Sequence, residues 1–306
     1  MVKKKTVSQQ KETKDFFEKF SSQWFKSAQD QKNDYVNVIQ IRNMYVKSIL
    51  KKYTGKNPRT LDVACGTGDL VIDLLKDGYD SYGFDFVDSM IKKAKTIAKK
   101  NCLPEDHLFV KSFFDFKPKQ KFDLISANGF VPYISGKQLN DFIKISSNWV
   151  KKNGVFVVES RNRLFNYLSF NDYTKKELHL KELSHLLDEN ILFNNCTSLN
   201  QLLRSNFKPK LKRNLESHPT IMQKHGPILV QKMYQYTPFQ IINILKSNKF
   251  KIIDIHPNHI HGITTGAKQL EPRLHKLISQ ELLNNEKLHL RLIPFSSTFS
   301  ITAKKL

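Results

Sequence analysis

The stretch Leu61-Asp62-Val63-Ala64-Cys65-Gly66-Thr67-Gly68-Asp69-Leu70 constrains this chain more than any other. A short apolar run (Leu61, Val63, Ala64) ends in a turn carrying two glycines. Leu70, Val71, Leu74 and Leu75 follow at helical spacing. The order is strand, glycine turn, helix. Gly66 and Gly68 lack a Cβ, so the backbone can turn sharply and a ligand can lie against it. The helix that follows offers unpaired N–H groups and a partial positive charge at its first turn, which suits an anionic or polar group.

A carboxylate then falls where a nucleoside ribose needs one. Ser81-Tyr82-Gly83-Phe84-Asp85-Phe86 reads as the next strand, with Asp85 at its C-terminal end. An acid about 20 residues past such glycines accepts from the vicinal ribose hydroxyls. The glycine spacing excludes a dinucleotide fingerprint, G-x-G-x-x-G. Gly68 is followed by Asp69-Leu70-Val71 with no third glycine, and Asp69 would repel a pyrophosphate.

The run instead resembles motif I of the class I S-adenosylmethionine (AdoMet) methyltransferases, D/E-x-G-x-G-x-G, with Ala64 where the first glycine is usual. Gly83 to Ala94 resembles motif II, with Asp88-Ser89-Met90-Ile91 opening the next helix. The resemblance implies AdoMet as cofactor, held by Asp62, Ala64, Gly66, Gly68, Asp85 and Phe86. The family often has an acid after the third strand, near the adenine. Here that position falls on Ser112, and Asp115 is displaced by three, so Ser112 and the N–H of Phe113 are the adenine candidates. The fourth strand ends Ser126-Ala127-Asn128-Gly129. Asn128 is a candidate for the methionine part of AdoMet, and the competing reading is a plain turn.

Residues 59–161 read as alternating strands (60–65, 80–86, 107–113, 122–128, 154–160) and helices (68–77, 88–101, 136–151), the last closed by Asn153-Gly154. Alternation argues a parallel sheet covered on both faces. It resumes at Thr237-Pro238 with a helix over 238–248 and a strand over 250–255. Alternating residues over 295–304 fit an antiparallel strand, which the resemblance places between strands five and six. The expected fold is α/β: a Rossmann-like, seven-stranded, mostly parallel sheet with helices on both faces, plus a helical insertion after strand five. Residues 1–54 are expected to form an N-terminal arm and helical cap, disordered over 1–14, with an aromatic stripe of Phe16, Phe17, Phe20, Trp24 and Phe25. Residues 55–162 form the AdoMet-binding core. Residues 163–236, with one helix over 174–189, form an acceptor lid, and 237–306 return to the sheet.

Lysine and arginine number 50 against 28 acids, a formal charge of +22. The excess is mostly lysine and is spread along the chain, so it weighs less than a localised arginine patch would. Lys208-Pro209-Lys210-Leu211-Lys212-Arg213 is its densest run. Cys65, Cys102 and Cys196 fit no disulfide or metal pattern. With no apolar signal core and no run of about 18 apolar residues, a cytoplasmic chain without a transmembrane segment is expected. Strand six is followed by His256, His259 and His261, candidates for a general base. No metal is expected, since no cysteine or acid pattern accompanies them.

The resemblance thus implies methyl transfer to a small-molecule acceptor, as O- or C-methylation of a quinone-type aromatic, a sugar or a cell-surface precursor. Two alternatives stay open. One is an RNA methyltransferase gripping its substrate through the basic run. The other is a methyltransferase-like interaction protein without chemistry. Oligomeric state is not legible.

Overall fold

The glycine turn sits at the middle of a seven-stranded sheet. The computed structural model describes residues 2–29, 35–212, 215–217, 220–223, 226–229 and 233–306. Helices α1 (Val2–Gln29) and α2 (Val38–Tyr53) precede the sheet. Strands β1 (Arg59–Val63), β2 (Asp80–Asp85), β3 (Leu108–Val110), β4 (Phe122–Ala127) and β5 (Val150–Arg161) alternate with α3 (Asp69–Lys76), α4 (Asp88–Lys100) and α5 (Gly136–Trp149). All five strands pair in parallel, in the order β3-β2-β1-β4-β5.

The chain then leaves the sheet through α6 (Asp172–His179), α7 (Leu183–Asn195) and α8 (Leu199–Arg204). Two short antiparallel pairs follow. β6 (Leu215–Ser217) joins β9 (Met233–Gln235), and β7 (Thr220–Gln223) joins β8 (Gly226–Leu229). Helix α9 (Pro238–Ser247) leads back into β10 (Phe250–Pro257). Thr237 caps α9 with its side chain, and Pro238 fills the first helical position. Helices α10 (Thr265–Leu270), α11 (Pro272–Asn284) and α12 (His289–Leu292) lie between β10 and β11 (Thr298–Lys305). β11 runs antiparallel between β5 and β10, as expected of the seventh strand.

Alternation along β4 and β5 shows both faces covered. Leu124, Val155 and Val157 pack with Ile49 and Leu50 of α2 and Leu70 and Leu74 of α3. Ile125, Phe156 and Val158 point the other way, into a larger core with Phe142 of α5 and Ile241, Ile242 and Leu245 of α9. A strand buried on both faces has to be apolar throughout, as this one is from Val155 to Val158. Gly83 of β2 serves packing alone. A Cβ there would lie 2.7 Å from Val71 Cγ2 and 2.9 Å from Cys65 Sγ. Gly83→Ala should therefore cost about 1–3 kcal/mol of stability by overpacking, read as a lower denaturant midpoint at unchanged slope.

Four expectations are corrected. Residues 2–14 are helical, continuous with the rest of α1. Their lysines, glutamines and glutamate are good helix formers, and the helix is tied down further along. There Glu18 accepts from the N–H groups of Asp88 and Ser89 (2.9 and 3.3 Å), at the positive end of α4. The side chain of Trp24 lies outside the described residues. The helix over 174–189 is two helices, broken at Lys181, whose φ is +58°. The insertion is helical only in its first half, since alternating Leu215, Met233 and Gln235 support strands in the second. Finally, Asn153 (φ +63°) does not stop a helix, because α5 ends at Trp149 and Asn153 bends the start of β5.

Candidate active site

A cleft opens at the carboxyl ends of β1, β2 and β4. It holds about 1170 Å³ of empty space, its open mouth included, ample for a nucleoside-sized ligand. Asp62, Ala64, Gly66, Asp85, Phe86, Ser112, Phe113 and Asn128 all line it. Gly68 does not. It caps α3 at φ +73°, and a Cβ there would meet Ala94 Cβ at 3.0 Å, so it lets α3 lie against α4. Ala64, at the position usually held by glycine, adopts φ +56°. The left-handed turn is thus kept at a local cost of about 1–2 kcal/mol. Gln10, Thr13 and Phe17 of α1 close one side of the cleft, where an N-terminal cap was expected, although Gln10 and Thr13 come from the stretch expected to be disordered.

Asp85 knits the site together. One carboxylate oxygen accepts from the N–H of Gly66 (3.0 Å) and the other from the N–H of Val87 (2.9 Å). The Phe86 N–H also favours the ionised form, and the carboxylate still keeps lone-pair capacity for a ligand hydroxyl. Burial pushes its pKa up to about 6, against the pull of those backbone donors. Asp62 accepts from the hydroxyl of Ser126 at 2.6 Å, and burial pushes it up to about 7. Asp69 also lines the cleft, with the Thr67 hydroxyl donating to it at 2.6 Å. In a chain of formal charge +22, a pocket carrying three acids beside Arg42 and Lys111 is built for a positively charged or polar ligand.

Asn128 stands out on this wall. Both its side-chain Oδ1 and Nδ2 are buried without a hydrogen-bond partner. An orphaned amide facing a cleft costs stability unless a ligand completes it. Asn128→Ala should weaken ligand binding about tenfold while leaving the free protein equally or more stable. Calorimetric titration and a thermal melt on the same variant check both halves. Ser112 is less free, since its Oγ accepts from the Phe114 N–H at 3.3 Å. The Phe113 ring is core, packed at tilted and edge-on angles among Phe130, Phe142 and Trp149.

A second cavity adjoins the first, sharing Arg42, Gly129 and Tyr133 as a common wall. Arg42 bonds Glu159 at 3.2 Å, and the N–H of Gly129 donates to the same Glu159 oxygen at 2.8 Å. The far side carries Arg161, His259, His261 and Lys268, and the insertion contributes Phe165, Asn166, Tyr173 and Gln235. Arg163, the other arginine after strand five, is sealed away. It makes two bonds to Glu177 (2.9 and 2.8 Å), with both side chains fully buried.

The three histidines separate. His259 and His261 line the second cavity with ring centroids 4.3 Å apart, and His275 of α11 joins them. His256 lines neither cavity. It stacks on Tyr45 at 4.2 Å and bonds Asn258, and burial lowers its pKa to about 4. Its strand position faces α2 rather than the cleft, and it lines a separate cavity beside Tyr45 and Asp254. The basic run Lys208 to Lys212 also lines neither of these two cavities, and Arg213 lies outside the described residues.

Residues 54–224 match the family model described as "Methyltransferase domain". The chain is 36% identical over 108 residues to a ubiquinone biosynthesis O-methyltransferase of Pelagibacter ubique, covering 35% of this chain and 44% of that one. It is 32% identical over 112 residues to the Bradyrhizobium diazoefficiens protein of that name, covering 37% and 42%. The matches thus span less than half the length of these curated relatives. Among solved structures, an S-adenosylmethionine-dependent methyltransferase of Clostridium acetobutylicum superposes with a TM-score of 0.53 at 14% identity, covering 94% of this chain and 98% of that one. The magnesium protoporphyrin IX methyltransferase of Synechocystis gives 0.54 at 12% identity, covering 96% and 95%. At such identities these likenesses speak for the fold. A glycine turn, a ribose-type acid and this strand order, together with a model spanning more than half the chain, place the protein in the methyltransferase-domain family.

Proposed function

We propose that the chain transfers the methyl group of AdoMet to a small-molecule acceptor held in the second cavity, with a hydroxyl on a quinone-type aromatic as the leading class. The observation that carries the reading is the acid-lined cleft, with Asp85 at the end of β2, sharing a wall with a second, cation-lined cavity. AdoMet bears a sulfonium and an ammonium and no phosphate, so Asp62, Asp69 and Asp85 attract it. A dinucleotide pyrophosphate would be repelled. Asp85 is assigned the ribose hydroxyls, Gly66 and Ala64 the close backbone approach, Asn128 the methionine part, and Ser112 and Phe113 the adenine side. The names of the curated relatives favour an aromatic hydroxyl.

The sulfonium is already activated, so the protein mainly aligns acceptor oxygen, methyl carbon and sulfur. Such positioning supplies on the order of 7–11 kcal/mol at best. Bound AdoMet would supply the methyl group to the acceptor oxygen, and the hydroxyl proton would have to leave. A base for that proton is worth roughly 100- to 10,000-fold. His259 and His261 stand beside the cavity, and burial keeps both imidazoles unprotonated. With its pKa lowered to about 3, however, His261 would hold a proton only weakly. Residues 163–236 are assigned as the acceptor lid, since Phe165, Tyr173 and Gln235 line that cavity. Among the described residues the basic run borders neither cavity, which supports the small-molecule reading over the RNA one.

The test is transfer of labelled methyl from AdoMet into a cell extract fractionated into lipid, small-molecule, protein and RNA pools. Label in the lipid or small-molecule pool is expected. Label confined to a ribonuclease-sensitive pool would overturn the reading. So would absence of label from every pool while cofactor binds.

A further inference from the structure

We propose that His259, His261 and His275 form a binding site for a divalent transition cation of the zinc class, with one coordination position left for a ligand from the second cavity. Each residue offers a ring nitrogen, and these nitrogens all lie within 4.8 Å of one another. His259 Nε2 and His275 Nε2 are 3.1 Å apart. Zinc–imidazole bonds of about 2.0–2.1 Å put tetrahedral ligand nitrogens roughly 3.3 Å apart, which the His259–His275 pair already matches, while the His261 ring would move inward by at most about 1.5 Å.

The backbone holds the cluster firmly. The His261 N–H donates to the Phe295 carbonyl at 2.8 Å, the His259 N–H to Ser296 Oγ at 3.0 Å, and the Ser297 N–H to the His259 carbonyl at 2.9 Å. Gly262 brings α11 close. A Cβ there would collide with the Ile278 side chain, so the missing side chain is what lets α11 carry His275, one turn before Ile278, onto His261. Ser297 Oγ lies 3.2 Å from His259 Nδ1, which turns Nε2 inward and fixes the ring.

The unsatisfied nitrogens argue for a ligand. Both ring nitrogens of His261 and Nδ1 of His275 are buried with no hydrogen-bond partner. A buried imidazole without partners is unusual, and three orphan nitrogens in one cluster are stranger still. An all-imidazole set suits zinc, copper, iron or nickel rather than magnesium or calcium. Lys268 and Arg161 stand near enough to weigh on the cluster and oppose a bare cation. The same charges favour an anionic oxygen in the remaining position. Assigning that position to the methyl acceptor rests on the proposed function, whereas the metal site does not, and with the cation bound His259 and His261 would serve as ligands in place of the base role.

The test uses the full chain, stripped with a chelator and titrated with Co2+ as an optical probe, then with Zn2+. A visible tetrahedral Co2+ band of single stoichiometry, displaced by Zn2+, is expected. His261→Ala and His275→Ala should each raise the Kd for Zn2+ at least about 100-fold, and Ser297→Ala roughly tenfold, in line with losses seen for outer partners of metal ligands. His289→Ala, outside the cluster, should leave it unchanged. Absence of a Co2+ band from the folded wild-type chain would overturn the site without recourse to any variant. Binding retained in both His261→Ala and His275→Ala would overturn it as well. Neither readout involves AdoMet, so failure here and failure of the methyl-transfer reading are separable.

Discussion

Replacing Asp85 with alanine should weaken binding of S-adenosylhomocysteine by at least about 100-fold. An ionised carboxylate taking two ribose hydroxyls supplies hydrogen bonds of about 1.5–3 kcal/mol each. The same side chain also holds the Gly66 and Val87 N–H groups that shape the loop. Asp85→Asn should lose most of the affinity while keeping one of those acceptors, which separates ribose binding from loop collapse. A pH dependence follows. The free Asp85 carboxyl has its pKa pushed up to about 6, and ribose binding needs the ionised form. Affinity should therefore fall about tenfold per pH unit below 6 and level off above 7. In Asp85→Asn this part of the dependence should vanish. Melting temperature is a poorer readout, because two opposed effects overlap. Asp85 and Asp62 bind protons more tightly folded than unfolded, so the stability they contribute at low pH is lost as pH rises through about 6 to 7. His256 and His261 have lowered pKa values, so their contribution is present above about 6.5 and is lost as pH falls towards 4 and 3.

Glu177→Ala should destabilise the protein by about 3–5 kcal/mol, the largest stability effect expected of any single change considered. It would leave the Arg163 guanidinium fully buried and without its bidentate partner. Asn166, whose Nδ2 also donates to Glu177 and to Gln235, would lose one of its two partners. This network ties the end of β5 to α6 and β9, so the insertion should loosen from the sheet before the sheet itself melts. Replacing both charged residues by Arg163→Met with Glu177→Leu should recover much of the loss, since paired removal leaves no stranded charge. Denaturant unfolding of the two single variants and the double variant measures the coupling directly.

The cofactor half of this molecule was legible because its signals are local. A glycine turn, an acid at a strand end and the alternation of strand and helix are written in short runs of sequence. Those signals carried the family resemblance, and the resemblance in turn implied seven strands and the antiparallel position of β11. What stayed hidden depends on distant partners. Ser112 and Gly68 both matched motif positions, yet Ser112 spends its oxygen on Phe114, and Gly68 serves the contact between α3 and α4. Asn128 was legible as a turn or a ligand contact with equal warrant, and only its buried, unpartnered amide favours the second. Arg161 and Arg163 look alike in sequence. Glu177, fourteen residues beyond Arg163, decides that one is structural while the other faces a cavity. His275 sits on a helix that Pro272 and the spacing of Leu274, Leu277, Ile278 and Leu282 do announce, but no local pattern says that Gly262 admits that helix to the histidines after β10. The N-terminal residues read as an arm because their composition is polar. Their helix is held by Glu18 at the start of α4, a contact no local pattern encodes.

The most direct measurement is a calorimetric titration of S-adenosylhomocysteine into the wild-type chain and into Asp85→Ala, with NAD+ titrated alongside. One site for S-adenosylhomocysteine is expected in the wild type, with a loss of at least about 100-fold in the variant and no binding of NAD+. No binding by the folded wild-type chain, equal affinity in Asp85→Ala, or preference for the dinucleotide would contradict the AdoMet-site assignment.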